Sequence, residues 1–150
     1  MPKITVVDEA IIDAEPSTVF KAILDELAGN THWWMPHTES KFRGNTETVN
    51  QEGAIIDLTI HDIVTSKFSE RFTEIIQDKM IKVEIFEGDF LGNSEWTFEG
   101  LNGRTKVRYQ WNAEPNRLLL TIFSPFVNIG KIHSKHMQFG FTALNNYLKS

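Results

Sequence analysis

The chain contains no cysteine. Disulfides, thiol nucleophiles and cysteine-ligated zinc are thereby excluded, and a reducing compartment fits. Long apolar runs are missing as well: none approaches the ~20 residues that a membrane span requires. No signal-peptide core follows Met1-Pro2-Lys3-Ile4-Thr5, which runs straight into a strand-like pattern. The expectation is a cytoplasmic protein without an integral membrane segment. Basic clusters are also absent. The net charge of −5 is spread along the chain, a poor match to a phosphate backbone, so nucleic acid is not an expected partner. Gly88-x-x-x-Gly92 lacks the Lys-Ser/Thr that would follow in a phosphate loop. No nucleotide, metal or other cofactor is expected. Repeats and low-complexity stretches are lacking too, which leaves one domain over residues 1–150.

What is present is ordinary globular composition, 41% hydrophobic and 23% charged, enough to bury roughly 70% of the unfolded surface at this length. Residues 3–13 are β-branched and read as a strand. Pro16 then suits a first helical turn. Val19, Phe20, Ile23, Leu24 and Leu27 recur at helical spacing until Gly29-Asn30. A short helical turn closed by Pro36 follows in Thr31-His32-Trp33-Trp34-Met35-Pro36. From Thr38 to Ala113 the period becomes two, with strands over 38–44, 53–64, 66–77, 79–87, 93–100 and 104–113. Asn102-Gly103 is the strongest hairpin signal, since both residues tolerate positive φ. Helical spacing returns over 116–149, with Pro125 as a bend or new start, and Met137, Gly140, Phe141, Leu144 and Leu148 form one stripe. The fold class is α+β: an antiparallel meander whose only partner layer is one long final helix.

Candidate chemistry is sparse. In Ser94-Glu95-Trp96-Thr97-Phe98-Glu99 the alternation puts Trp96 and Phe98 on one face, toward either a solid core or an open cavity. Val107, Tyr109 and Trp111 share a face of another strand, as a pocket wall with the Tyr109 hydroxyl as a polar handle or as plain core. Trp33 and Trp34 cannot both point inward from one turn; one packs, and the other covers an opening or meets a partner. Regular pairing would put Phe68, Glu70, Phe72, Glu74 and Ile76 on one face. Unpaired buried carboxylates are costly, so the expectation is a register break or a strand edge with both acids in water. His133 and His136 are three apart on a helix, but no third ligand accompanies them, so no metal is expected. His133, on or near the inner stripe, is the better candidate for a polar ligand contact. His61 shares a face with Asp57 and Thr59 and is expected in water.

In order, these segments resemble the START-related superfamily, also called SRPBCC, which includes the birch pollen allergen and polyketide cyclase-like proteins. Ile12-Asp13-Ala14-Glu15-Pro16 with Val19-Phe20 resembles its first strand and helix entry. Trp33-Trp34-Met35-Pro36 resembles the WW-x-P segment of the polyketide cyclase/dehydratase-like subgroup. Gly88-Asp89-Phe90-Leu91-Gly92 with Trp96, and Arg104-Thr105-Lys106-Val107 with Tyr109 and Trp111, resemble two further elements of it. His133, Met137, Gly140 and Leu144 match the spacing of its last helix. Ile132-His133 departs from the usual Asn-His, and Gly103-Arg104-Thr105 from the usual Gly-Thr. The resemblance implies a helix-grip fold: a curved antiparallel sheet of about seven strands around a long C-terminal helix, with two short helices between the first two strands. It also implies a hydrophobic cavity, which would answer the question posed by Trp96 and Phe98.

The function so implied is binding of a small hydrophobic ligand, a lipid or polyketide, as carrier or sensor. The residues expected to bind it are Trp33, Trp34, Phe72, Trp96, Phe98, Tyr109, Trp111, His133, Met137 and Phe141, with no catalytic residue. The rival is a cyclase/dehydratase-like enzyme using the same cavity, with Tyr109, His133 and Glu74 as possible actors. An enzyme of that kind needs a titrating group with a perturbed pKa inside the cavity, and a carrier needs none. A third reading is an interaction module like the co-chaperone branch, with Trp33-Trp34 as the contact to an unknown protein partner.

Overall fold

The computed structural model describes residues 3–43, 49–62, 65–118 and 128–150. Its elements are β1 (Ile4–Ile12), α1 (Pro16–Leu27), β2 (Thr38–Arg43), β3 (Ile55–Ile60), β4 (Ser66–Ile76), β5 (Met80–Gly88), β6 (Phe90–Leu101), β7 (Arg104–Pro115) and α2 (Ile129–Lys149). The strands form one seven-stranded sheet in the order β1-β7-β6-β5-β4-β3-β2. All its pairings are antiparallel. Strands β2 to β7 are the expected meander, and β1 closes onto its far end by pairing with β7.

Turn chemistry fixes the joints. Asn102 (φ 50°) and Gly103 (φ 87°) turn β6 into β7, with Leu101 opposite Arg104. Gly88 and Gly92 have φ of 116° and 154°, and a β-carbon on either would collide with backbone of the adjacent strand, at Lys67–Phe68 and at Asn112–Ala113. The close approach at these two positions lets the sheet curve. Between α1 and β2, the second short helix amounts to one turn. Thr38 N–H donates to Trp34 O at 3.2 Å and Met35 N–H to His32 O at 3.3 Å.

Two bodies of side chains share the inner face of the sheet. At one end α1 buries Val19, Phe20, Ile23, Leu24 and Leu27, with Phe20 edge-on to Phe98 at 5.4 Å. Along the rest lies α2, which buries His136, Met137, Gly140, Phe141 and Leu144; Leu148 is half-buried. Polar side chains tie α2 to the edge strand β1. Asn145 donates from Nδ2 to Ile11 O at 3.0 Å and accepts from Asp13 N–H at 2.9 Å. Gln138 donates to Glu9 O at 3.3 Å, and Ser134 to Asp8 Oδ2 at 3.2 Å. The Asn145 and Gln138 bonds occupy backbone groups at this edge of the sheet. No helix among the described residues is long and apolar enough to cross a membrane. Residues 119–127, with Pro125, and the predicted strand end at 63–64 lie outside the described residues.

Candidate functional site

A cavity of about 120 Å³ lies between the sheet and α2. Ile129, Ile132, His133, His136 and Met137 of α2 form one wall. The sheet supplies Leu58 and Ile60 from β3, Phe68 and Glu70 from β4, Phe90 and Trp96 from β6, and Tyr109 and Trp111 from β7. Leu27, Trp34, Thr38, Asp62 and Ser66 complete the rim. The space is close to the ~150 Å³ that accommodates a benzene ring.

Of the ten residues expected to contact a ligand, six stand on this wall: Trp34, Trp96, Tyr109, Trp111, His133 and Met137. The other four do not. Trp96 and Phe98 share the inner face of β6, but two residues along the strand the cavity has given way to the α1 end of the core, where Phe98 meets Phe20. Phe72 is 1% exposed and belongs to the hydrophobic core, off the cavity wall. Phe141, four residues past Met137, is buried away from the cavity. Trp33 lies behind Trp34, stacked on it at 5.5 Å and flanked by Tyr147 at 6.5 Å. The tryptophan pair thus divides as a single turn requires, with Trp34 inside and Trp33 half-buried outside it.

Glu26 of α1, itself buried, holds that pair in place. Its Oε1 accepts from the Thr31 hydroxyl at 2.7 Å and Trp33 N–H at 3.0 Å, and its Oε2 from Trp34 N–H at 2.9 Å. A carboxylate that satisfies two successive backbone donors sets the backbone path of the turn. The indole of Trp34 then lies against the bare Cα of Gly140 and stacks on His136 at 5.1 Å. His136 in turn shares a 2.6 Å hydrogen bond between Nε2 and the Thr38 hydroxyl.

The two acids of β4 part company, contrary to the expectation that both meet water. The pairing of β4 with β5 shifts register between Ser69 and Glu70 and again between Phe72 and Glu74. A register break was foreseen, but its effect is to send one acid each way. Glu74 turns out and pairs with Lys82 at 3.4 Å, which removes it from the possible catalytic actors. Glu70 turns in, onto the cavity wall, and is 4% exposed. Burial pushes its carboxyl up to about 8, offset in part by the Ser94 hydroxyl it faces. At neutral pH it is therefore a neutral acid. Burial and the nearby Glu70 also hold the Tyr109 phenol well above its ordinary range.

The two histidines are neutral for a related reason. Burial lowers His133, although Asp8 pulls the other way, with its Oδ2 3.8 Å from His133 Nδ1. The imidazole lies nearly parallel to Trp111 at 4.2 Å. Burial, then the neighbouring His133 and His37, bring His136 down to about 4. The nitrogens of the two rings look to different partners, Asp8 and Thr38. His61 lies at the surface, 3.0 Å from Glu39. Sequence reasoning did not select Glu70, Thr38 or His136 for the site. Only the Phe90 within Gly88–Gly92 and the Phe68 preceding Glu70 offered an aromatic signal for the wall they join.

A curved seven-stranded antiparallel sheet gripping one long C-terminal helix defines the helix-grip fold of the START-related superfamily, and the chain has that fold. Particular solved structures share it. The Zhui aromatase/cyclase from Streptomyces sp. R1128 superposes with a TM-score of 0.75 at 12% identity, over 99% of this chain and 94% of that one. A START superfamily protein from Mycobacterium smegmatis gives 0.71 at 13%, over 97% of each. Ara h 8.0201 gives 0.69 at 15%, over 99% of this chain and 100% of that one. No family model matches the chain, and no curated protein matches it in sequence.

Proposed function

We propose that the chain binds a small, largely hydrophobic molecule between its sheet and α2, as a carrier or sensor. The observation that carries this reading is the cavity itself: an aromatic-walled space whose Glu70, Tyr109, His133 and His136 are all uncharged at neutral pH. Burial of apolar ligand surface there is worth roughly 25 cal/mol per Å² before ordering costs. Native mass spectrometry of the protein as purified from cells tests it. A defined added mass that leaves on denaturation is the expected result. A bare mass that stays bare after exposure to a panel of lipids and ring compounds would overturn it.

Glu70 gives a second reading its footing. A carboxyl that holds its proton at pH 7 inside a ligand-sized space is a ready general acid, and a cyclase/dehydratase-like enzyme would need such a group. Tyr109 and His133 share the cavity with it. Turnover of a poly-β-ketone thioester surrogate, with a rate that falls through the Glu70 ionisation and is lost in Glu70→Gln, would establish chemistry. Binding without turnover would leave the carrier.

A further inference from the structure

We infer that the ligand this cavity takes is a cation: a ring-bearing amine whose ammonium lies against the Glu70 carboxyl and the faces of Trp96 and Tyr109. The inference rests on the binding function proposed above and narrows it to a ligand class.

Charge is the first observation. The described lining residues include two acids, Glu70 and Asp62, and no lysine or arginine. Residues 63–64 and 119–127, which adjoin lining residues in sequence, carry no ionisable side chain. Both imidazoles of the wall are neutral at pH 7. An anionic ligand would therefore meet no lysine or arginine among the described lining residues.

The second observation is the placement of Glu70. It is almost fully buried, and no cationic side chain among the described residues pairs with it. Arg71, the next residue, turns to the other face and meets Glu84 at 2.8 Å. The third is the company it keeps. The rings of Trp96 and Tyr109 are 4.4 Å apart and inclined at 47°, with Trp34 and Trp111 on the same wall. Aromatic faces carry negative potential and attract a desolvated cation specifically. A neutral ligand gains from them only burial.

The proton balance makes this readable. Around pH 7 the amine arrives as ammonium while Glu70 holds its proton. Forming the ion pair sends that one proton to solvent. Affinity then rises with pH until Glu70 is ionised in the free protein, near 8, and levels off until the amine itself loses its proton. A neutral ligand held by a hydrogen bond from Glu70 shows the opposite slope. Around Glu70 stand Ser94 on β6, Tyr109 on β7, Asp62 before β4, and His133 and His136 across the cavity on α2. The tyrosine ionises far above this window and the two histidines below it.

Benzylamine, benzyl alcohol and benzoate share one ring and differ in charge. Each is titrated into the wild type and into the isosteric Glu70→Gln at about pH 6.5 and about pH 8.5, read by tryptophan fluorescence and by calorimetry in buffers of different ionisation enthalpy. Expected in the wild type is benzylamine tighter than benzyl alcohol by ~10-fold or more, benzoate weakest, and proton release on amine binding at the lower pH. Glu70→Gln should lose the amine preference and the proton release while keeping its affinity for benzyl alcohol. Benzyl alcohol or benzoate binding the wild type as tightly as benzylamine would overturn the inference and leave the binding function standing. So would an undiminished amine preference in Glu70→Gln. Failure of all three to bind would likewise overturn the inference, while the binding function would still be decided by the mass spectrometry panel.

Discussion

The indole of Trp34 occupies the place where a residue other than glycine at position 140 would carry its β-carbon. Alanine is favoured over glycine inside a helix by about 1 kcal/mol, so propensity alone makes Gly140→Ala stabilising. The contact predicts the reverse, a loss of ~1–3 kcal/mol from overpacking. Urea unfolding of Gly140→Ala checks the sign, and the double variant with Trp34→Leu should recover part of the loss. A more stable Gly140→Ala would mean that the indole has room to move.

Trp96 and Phe141 are both buried aromatics, yet only Trp96 reaches the cavity. Either change to alanine should cost ~3–5 kcal/mol of stability. Ligand affinity, measured where both variants are folded, should fall for Trp96→Ala and stay near wild type for Phe141→Ala. Equal losses of affinity would place the ligand elsewhere.

Glu70 and His136 set opposite limits on stability with pH. A carboxyl raised to about 8 in the folded protein keeps a proton that the unfolded chain gives up near 4.5, so its contribution declines as pH rises between those values and is flat above. An imidazole lowered to about 4 from 6.5 contributes fully above 6.5 and loses that contribution as pH falls toward 4. Stability should therefore decline toward both ends of this range. Glu70→Gln should flatten the alkaline limb and leave the acid limb in place. Thermal unfolding across pH for the two proteins reads both slopes. An unchanged alkaline limb would show that Glu70 does not cause it.

The Glu26 carboxylate receives three hydrogen bonds from the tryptophan turn. Glu26→Ala leaves two backbone donors without their acceptor, at ~1–3 kcal/mol each where they remain buried. Hydrogen exchange at Trp33 and Trp34 should accelerate far more than in α1 itself. Uniform acceleration across the chain would instead point to global destabilisation.

Most of the architecture is legible in the sequence because it follows from local periodicity. The six-strand meander, the Asn102-Gly103 hairpin, the α1 stripe and the α2 stripe all appear where the pattern puts them. The site is legible only where a side chain's face and its position along the strand agree. Trp96 satisfies both conditions, and Phe98 satisfies the first alone. Glu70 could not be read at all. Strict alternation gives Glu70 and Glu74 the same fate, and only the register shift between Phe72 and Glu74 separates them. Such shifts depend on how β5 fits against β4, information that no window of β4 contains. Gly140 was legible as a member of the helical stripe, but its reason, an indole arriving from over a hundred residues earlier, was not.

The polar ties of α2 gather on the edge strand β1 and on Asp13 just beyond it, and the His136–Thr38 hydrogen bond reaches the opposite edge at the start of β2. Over the cavity, the gap between helix and sheet is spanned by side chains. Interior capacity is thus a property of residue size, separable from the scaffold that frames it. A protein built this way can be refitted for a different guest by exchanging a few inward residues, with every strand pairing left intact. Three-dimensional likeness at 12–15% identity is what such a division of labour permits: a durable frame and a replaceable lining.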